Sequence, residues 1–197
     1  SVALAWRFPG LASKDFEVLQ VVSQVLYNGK AGLIDLDLNQ QQKVLNSYGY
    51  PMGLADYSAF ILGGLPKQGQ TLEEVKDLLL NEIKKLRAGE FDEKMLQANI
   101  NNFKLYELQS MESNEGRADI FVNSFINGTN WEDEVTAIDR MAKLTKEDIV
   151  AFADKYLKED NYAVVYKKQG KDPNEKKMTK PEITPIVSNR DVASPFL

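Results

Sequence analysis

The sequence predicts an α+β fold, an antiparallel-rich β-sheet with several helices packed on one face. Strand-like segments fall near the two ends, at residues 1–8, 54–65 and 161–168, and helical periodicity fills most of the stretch between about 71 and 157. Strands and helices therefore do not alternate as a regular α/β fold would require. Scale is the other observation: 197 residues, 43% apolar and 27% charged, suit one well-packed domain and would crowd two.

Each element has a local cause. "SVALAWRF" is apolar and β-prone, and Pro9-Gly10 closes it. Ser13 is an N-cap candidate with Asp15 in the first turn, where the helix dipole favours an acid. Val18, Val21, Val22, Val25 and Leu26 then recur at helical spacing, with Gly29 as the stop. The following "GLIDLDLNQQQ" is open to two readings. As a strand it puts Asp35 and Asp37 on one face; as a helix it separates them, because residues two apart do not face each other. "NSYGYPMG" reads as turn-rich, and "LADYSAFILGGL" as a strong strand.

Thr71 and Glu74 form a capping box ahead of Leu72, Val75, Leu79, Ile83 and Leu86, which share one helical face. Gly89 ends that helix. A second runs from about Asp92 with Leu96, Ile100 and Phe103 inward, breaking near Asn114–Gly116 before a further helix to about Asn127. Asn130 caps a short helix over 131–140, and Thr145 caps another carrying Ile149, Phe152, Ala153, Tyr156 and Leu157. "NYAVVYKK" is the closing strand. Pro173, Pro181, Pro185 and Pro195 mark an extended tail. The expected organisation is one domain over 1–170 and a Pro-rich linker over 171–197.

Composition removes several function classes. A net charge of −5 argues against a nucleic-acid surface, and the lysines of the tail alternate with acids and prolines as in a solvated connector. No apolar run approaches the ~20 residues of a membrane helix. The chain opens on "SVALAW" without an initiator methionine and closes in an unfinished extended segment, so both ends are expected to come from something longer. Localisation stays open between bacterial periplasm and cytoplasm. With no Cys there is no disulfide or thiol chemistry, and with no His the commonest general base and metal ligand are gone.

The remaining acidic groups are weak candidates. Asp35 and Asp37 have the oxygen ligands of a hard-cation site but no nameable third acid. Glu107, Glu112 and Glu115 surround a helix break and would matter only if they converged in a pocket. Gly63-Gly64 lacks a phosphate-loop lysine, and Asn127-Gly128-Thr129 matches a glycosylation sequon that matters only in a secretory compartment. Trp6 and Trp131 are expected to anchor the core or an interface.

Three longer stretches carry a resemblance. "VALAWRFPG…DFEVLQVVSQVLYNGKAGLIDLDL", "DYSAFILGGLPKQGQTLEEVKDLLLNEIKKLRAGEFDEKMLQAN" and "WEDEVTAIDRMAKLTKEDIVAFADKYLKEDNYAVVYKKQG" together resemble a non-catalytic domain of the pitrilysin/insulinase family of zinc metallopeptidases, over about residues 1–170. The resemblance implies the metallopeptidase (LuxS/MPP-like) domain fold. It implies a domain without catalytic or metal-binding residues, since the inverted His-x-x-Glu-His motif of the active domain has no counterpart in a chain without His. Zinc is expected in a separate catalytic domain of the parent protein. The expected partners are that domain, other domains of the same polypeptide and a peptide substrate held in a clamshell chamber. The alternative is an architectural domain of the same fold with no proteolytic role.

Some inactive domains of that family carry an Arg and a Tyr about seven residues apart that contact substrate. Here Asn39 and Asn46 fall near those positions, and Lys43 and Tyr50 have the spacing without the bidentate guanidinium. Lys43, Tyr48 and Tyr50 are left as weak substrate-binding candidates. The resemblance makes "GLIDLDL" a short helix, so that Asp35 and Asp37 diverge. It also places the chain as the second domain of a four-domain peptidase.

Overall fold

The computed structural model describes residues 1–171, 176 and 178–185. Two units separate along the chain, Ser1–Lys167 and Lys168–Leu197. In the second, the described residues 178–185 form neither helix nor strand. Part of the expected linker, including Pro173 and Pro195, lies outside the described residues.

The first unit is built on a sheet of four strands: β1 (Val2–Pro9), β2 (Asn46–Met52), β3 (Tyr57–Leu65) and β4 (Ala163–Tyr166). Their order is β2-β3-β1-β4, with every pairing antiparallel. Side chains alternate along β1, so Val2, Leu4, Trp6 and Phe8 all point to one side and are nearly inaccessible. Phe60 and Leu62 of β3 join them on that side. Trp6 satisfies its one polar group by donating from Nε1 to the Lys158 carbonyl at 3.1 Å, and its ring meets Tyr162 at 5.3 Å.

The helices pack on this side. Helix α1 (Lys14–Leu26) begins where the Ser13 hydroxyl accepts from the Asp15 N–H at 3.2 Å, and it buries Phe16, Leu19, Val22, Val25 and Leu26. It ends at Leu26, three residues before the expected Gly29, because Tyr27 turns to an extended conformation. Helix α2 (Leu72–Arg87) keeps the predicted capping box, with Thr71 and Glu74 each bonding the other's backbone N–H, and buries Val75, Leu79, Ile83 and Leu86. Gly89, at φ 70°, lies in the left-handed region that favours glycine and follows its last turn.

Helix α3 (Lys94–Ser110) buries Leu96 and Ile100. After it run α4 (Asn114–Asn127), α5 (Trp131–Val135) and α6 (Ala137–Met141). The break expected at Asn114–Gly116 falls earlier, over 111–113, because Ser113 caps α4 by accepting from the Gly116 N–H at 2.9 Å. The single helix expected over 131–140 is two, parted at Thr136, whose backbone leaves the helical region. Helix α7 (Lys146–Tyr156) buries Ile149, Phe152 and Ala153 and stacks Phe152 on Phe8 at 5.7 Å.

The larger correction concerns 46–52. "NSYGYPM" is an edge strand, with alternate residues Ser47 and Gly49 buried. Tyrosine suits a pleated surface, and a proline is tolerated at an edge because one side of the ladder has no partner strand. Asn39 holds the strand in place. Its Oδ1 accepts from the Ser47 N–H and hydroxyl, and its Nδ2 donates to the Ser47 carbonyl, each at 2.8 Å.

Candidate functional site

With the helices of the first unit on one side, the other face of its sheet is open. The strand registers arrange that face in rows. Tyr48, Gly63, Ala3 and Val165 form one row, Tyr50, Ile61, Ala5 and Ala163 a second, and Met52, Ala59 and Arg7 a third. The centre is therefore small and smooth, and the β2 margin is aromatic. Tyr48 and Tyr50 stack with ring centroids 6.2 Å apart, two residues apart along one strand and hence on one face. On the third row the Arg7 guanidinium lies 3.6 Å from the Tyr57 ring centroid, a cation–π contact next to the open surface.

The two adjacent glycines of β3 serve opposite faces. A Cβ at Gly63 would stand 2.3 Å from the Tyr48 ring, so glycine lets that ring lie down on the open face. A Cβ at Gly64 would stand 2.5 Å from Val75 Cγ1, so glycine lets α2 approach the covered face. Gly63-Gly64 is thus a packing device on both sides of the sheet.

Of the three substrate-binding candidates, Tyr48 and Tyr50 come together on the open face. Lys43 does not stand with them. It is exposed in the loop ahead of β2, where its N–H donates to the Leu38 carbonyl at 2.9 Å and its own carbonyl accepts from Gln70 at 3.0 Å. The residues that complete the face, above all Ala3, Ala5, Ile61 and Gly63, were missed in the sequence. The signal for them was their period-two alternation with Val2, Leu4 and Trp6 along β1 and with Phe60 and Leu62 along β3.

The acids take separate roles. Residues Asp35–Asn39 form a π-helical turn, with both aspartates on it. Asp35 is buried, and its Oδ2 accepts from the Asn28 and Gly32 N–H groups, each at 3.0 Å. Asp37 points instead to α2 and accepts from Lys85 at 2.6 Å, a hydrogen bond that holds its carboxyl below the usual range. The same Lys85 donates to the buried Glu82 at 2.9 Å, whose carboxyl is pushed up by burial despite that partner. One aspartate fastens the turn to itself and the other fastens it to α2.

The usual zinc ligands are scarce. The chain has neither His nor Cys, and among the described residues no group of three or more Asp or Glu could hold a metal ion. The three rows of the open face carry no Asp, Glu, Lys or Ser to act as base or nucleophile.

The Peptidase M16 inactive domain family matches residues 1–103. The chain belongs to this family. It is 27% identical over 172 residues to the zinc protease PqqE of Helicobacter pylori (strain ATCC 700392 / 26695), a match that takes in 85% of this chain and 38% of that protein. The chain therefore spans less than two fifths of that curated relative. In fold, it is similar to a solved protease from Helicobacter pylori, with a TM-score of 0.74 and 23% identity over 83% of this chain and 40% of that one. It is also similar to a solved inactive peptidase domain from Bordetella parapertussis, with a TM-score of 0.71 and 17% identity over 83% of this chain and 90% of that one. Among the described residues no helix is long and apolar enough to cross a membrane.

Proposed function

We propose that this M16 domain forms one wall of a peptide-holding chamber and keeps a separate, zinc-bearing catalytic domain of the same polypeptide in position. The observation that carries the reading is the one-sided sheet, apolar and aromatic, in a chain of a family named for its inactivity. The face built on Tyr48, Tyr50, Ile61, Ala3 and Ala5 suits apolar and aromatic side chains of an extended peptide, because it is smooth and the two tyrosines give an amphipathic margin. Its contribution to hydrolysis is orientation and exclusion of water around a peptide that another domain cleaves. Residues 171–197 serve as a connector to that other sequence.

The test has two arms. The 197-residue chain, expressed alone, should hold well under a tenth of an equivalent of zinc by elemental analysis and leave an unstructured peptide uncut. In the full-length protein, a photo-reactive amino acid at Tyr50 should cross-link a peptide substrate. Stoichiometric zinc in the isolated chain, or a silent Tyr50 probe under turnover, would overturn the reading. A silent probe with intact assembly would favour the architectural role instead.

A further inference from the structure

We propose that the exposed helical surface built by the C-terminal half of α3 together with α4 and α5 is the seat of a companion domain of the same polypeptide. That domain would present an apolar ridge flanked by Lys and Arg. The inference rests on the reading that the chain is one domain of a longer peptidase, and it adds where the neighbour sits and what chemistry it brings.

Helix α4 is the clearest sign. Of its 14 residues only Ser124 is buried. Its apolar side chains nonetheless form a stripe of their own: Phe121 and Val122 are more than half exposed, Ile126 is 67% exposed and Phe125 88%. Positions 121, 122, 125 and 126 recur at helical spacing and so share one side of the helix, which faces water instead of the core. On α3, Leu105 and Leu108 are exposed as well. Single exposed apolar residues need no cause, but a contiguous patch of this kind marks an interaction site.

The patch also has a socket. A cleft of about 390 Å³ opens between α3, α4 and α5, lined by Met111, Ile120, Phe121, Trp131 and Val135. Trp131 stacks on Phe121 with centroids 4.5 Å apart and stays 43% exposed, which gives the cleft a rigid aromatic wall. Such a wall is where a partner's anchoring side chain gains most.

Charge selects the occupant. Residues 104–135 hold seven Asp and Glu against two cations, Lys104 and Arg117. Asp133 is paired with Lys14, and Arg117 donates to the Met111 carbonyl at 2.7 Å and to the Asn114 side chain while keeping its charge, so six acids face two cations and the stretch stays net acidic. A second copy of this chain docked through the same face would bring two acidic rims together, because a two-fold contact pairs a surface with itself. A basic rim on a different domain is attracted to it. Length points the same way: the chain spans 38% of the Helicobacter zinc protease and 40% of the solved Helicobacter protease chain, so each relative has further sequence to supply a neighbour.

The experiment places a benzophenone amino acid at Phe125 of the full-length protein, with the same probe at the exposed Leu45, just ahead of β2, as control. After irradiation and digestion, the Phe125 probe should be joined to a segment outside residues 1–197 of the same polypeptide with Lys or Arg within a few positions. The Leu45 probe should not reach that segment. A cross-link to residues 104–135 of a second copy, a cross-link to another polypeptide, no cross-link, or a gene product with no further domain would each overturn the proposal. A Phe121→Glu/Phe125→Glu variant provides the second readout. Amides of α4 should exchange at least tenfold faster in the full-length variant than in the parent, and unchanged exchange would count against docking. Peptide capture at Tyr50 alongside a silent Phe125 probe would sink this inference and leave the chamber reading standing; the reverse pattern would do the opposite.

Discussion

Tyr48 and Gly63 face each other across the β2–β3 ladder, and the Tyr48 ring lies over the spot where a Cβ at residue 63 would stand. The atoms in the way belong to the far end of a side chain, so a methyl group there moves the ring without breaking the sheet. Gly63→Ala should change stability by about 1 kcal/mol or less, within the range of ordinary small substitutions. It should alter the near-ultraviolet circular dichroism of the stacked Tyr48–Tyr50 pair as much as Tyr48→Ala does. A spectrum identical to the parent would show that the ring does not rest on Gly63.

Lys85 bridges Asp37 and Glu82, and the two acids respond to pH in opposite senses. Asp37 has its carboxyl lowered by the Lys85 hydrogen bond, so its contribution is present above its ordinary value of 3.8 and is lost as pH falls through the folded value. Glu82 is raised by burial, so the folded state holds its proton more tightly. Its effect therefore erodes stability as pH rises from 4.5 through the folded value. Glu82→Gln should gain on the parent as pH rises through that window, seen in urea midpoints at about pH 4.5, 5.5 and 7. A change of the opposite sign would contradict this assignment.

Removing the bridge should cost more than removing either acid. Lys85→Met leaves Glu82, only 1% exposed, without its cation. Orphaning a buried charge costs about 3 kcal/mol. The loss should be larger at about pH 7 than at about pH 5, because lowering the pH favours the neutral form of Glu82, whose carboxyl is pushed up by burial. Thermal melts at the two pH values would reveal a pH-independent loss if the bridge were merely a packing contact.

Asn39→Ala should loosen β2 selectively. It removes the three hydrogen bonds to Ser47, a residue with no exposed surface, and an unsatisfied buried group costs about 1–3 kcal/mol. Hydrogen exchange of residues 46–52 should accelerate well before that of β1. Uniform acceleration of the whole sheet would mean that Asn39 acts through global stability alone.

Gly116 decides how α3 meets α4. A Cβ there would stand 1.9 Å from the Ser110 carbonyl oxygen, a backbone atom that cannot swing aside. Gly116→Ala should cost about 2 kcal/mol, as overpacking does. It should also shift the Trp131 fluorescence as the cleft walls part. An unshifted spectrum with full stability would place the two helices differently.

Local chemistry was legible in the chain itself. The caps at Ser13, Thr71 and Thr145 act through hydrogen bonds a few residues long, so spacing alone revealed them. The burial of Val75, Leu79, Ile83 and Leu86 followed from period, and the absence of His and Cys excluded His- or Cys-ligated zinc before any fold was known. The family resemblance also separated Asp35 from Asp37. Turn-forming residues misdirected the reading of 46–52. Strand formation there depends on pairing with β3 and on the side chain of Asn39, eight residues before its partner Ser47.

Propensity, capping and composition act within a few residues, so the amino-acid order was enough to say where the long helices lie, which apolar faces they carry and that His and Cys chemistry is missing. It was not enough to say that Tyr48 and Tyr50 share a face with Ala3, Ala5 and Gly63, or that the stripe on α4 faces outward. Those outcomes depend on strand register and helix placement across tens of residues. Such long-range pairings are chosen by the packing of the whole core and by no local pattern.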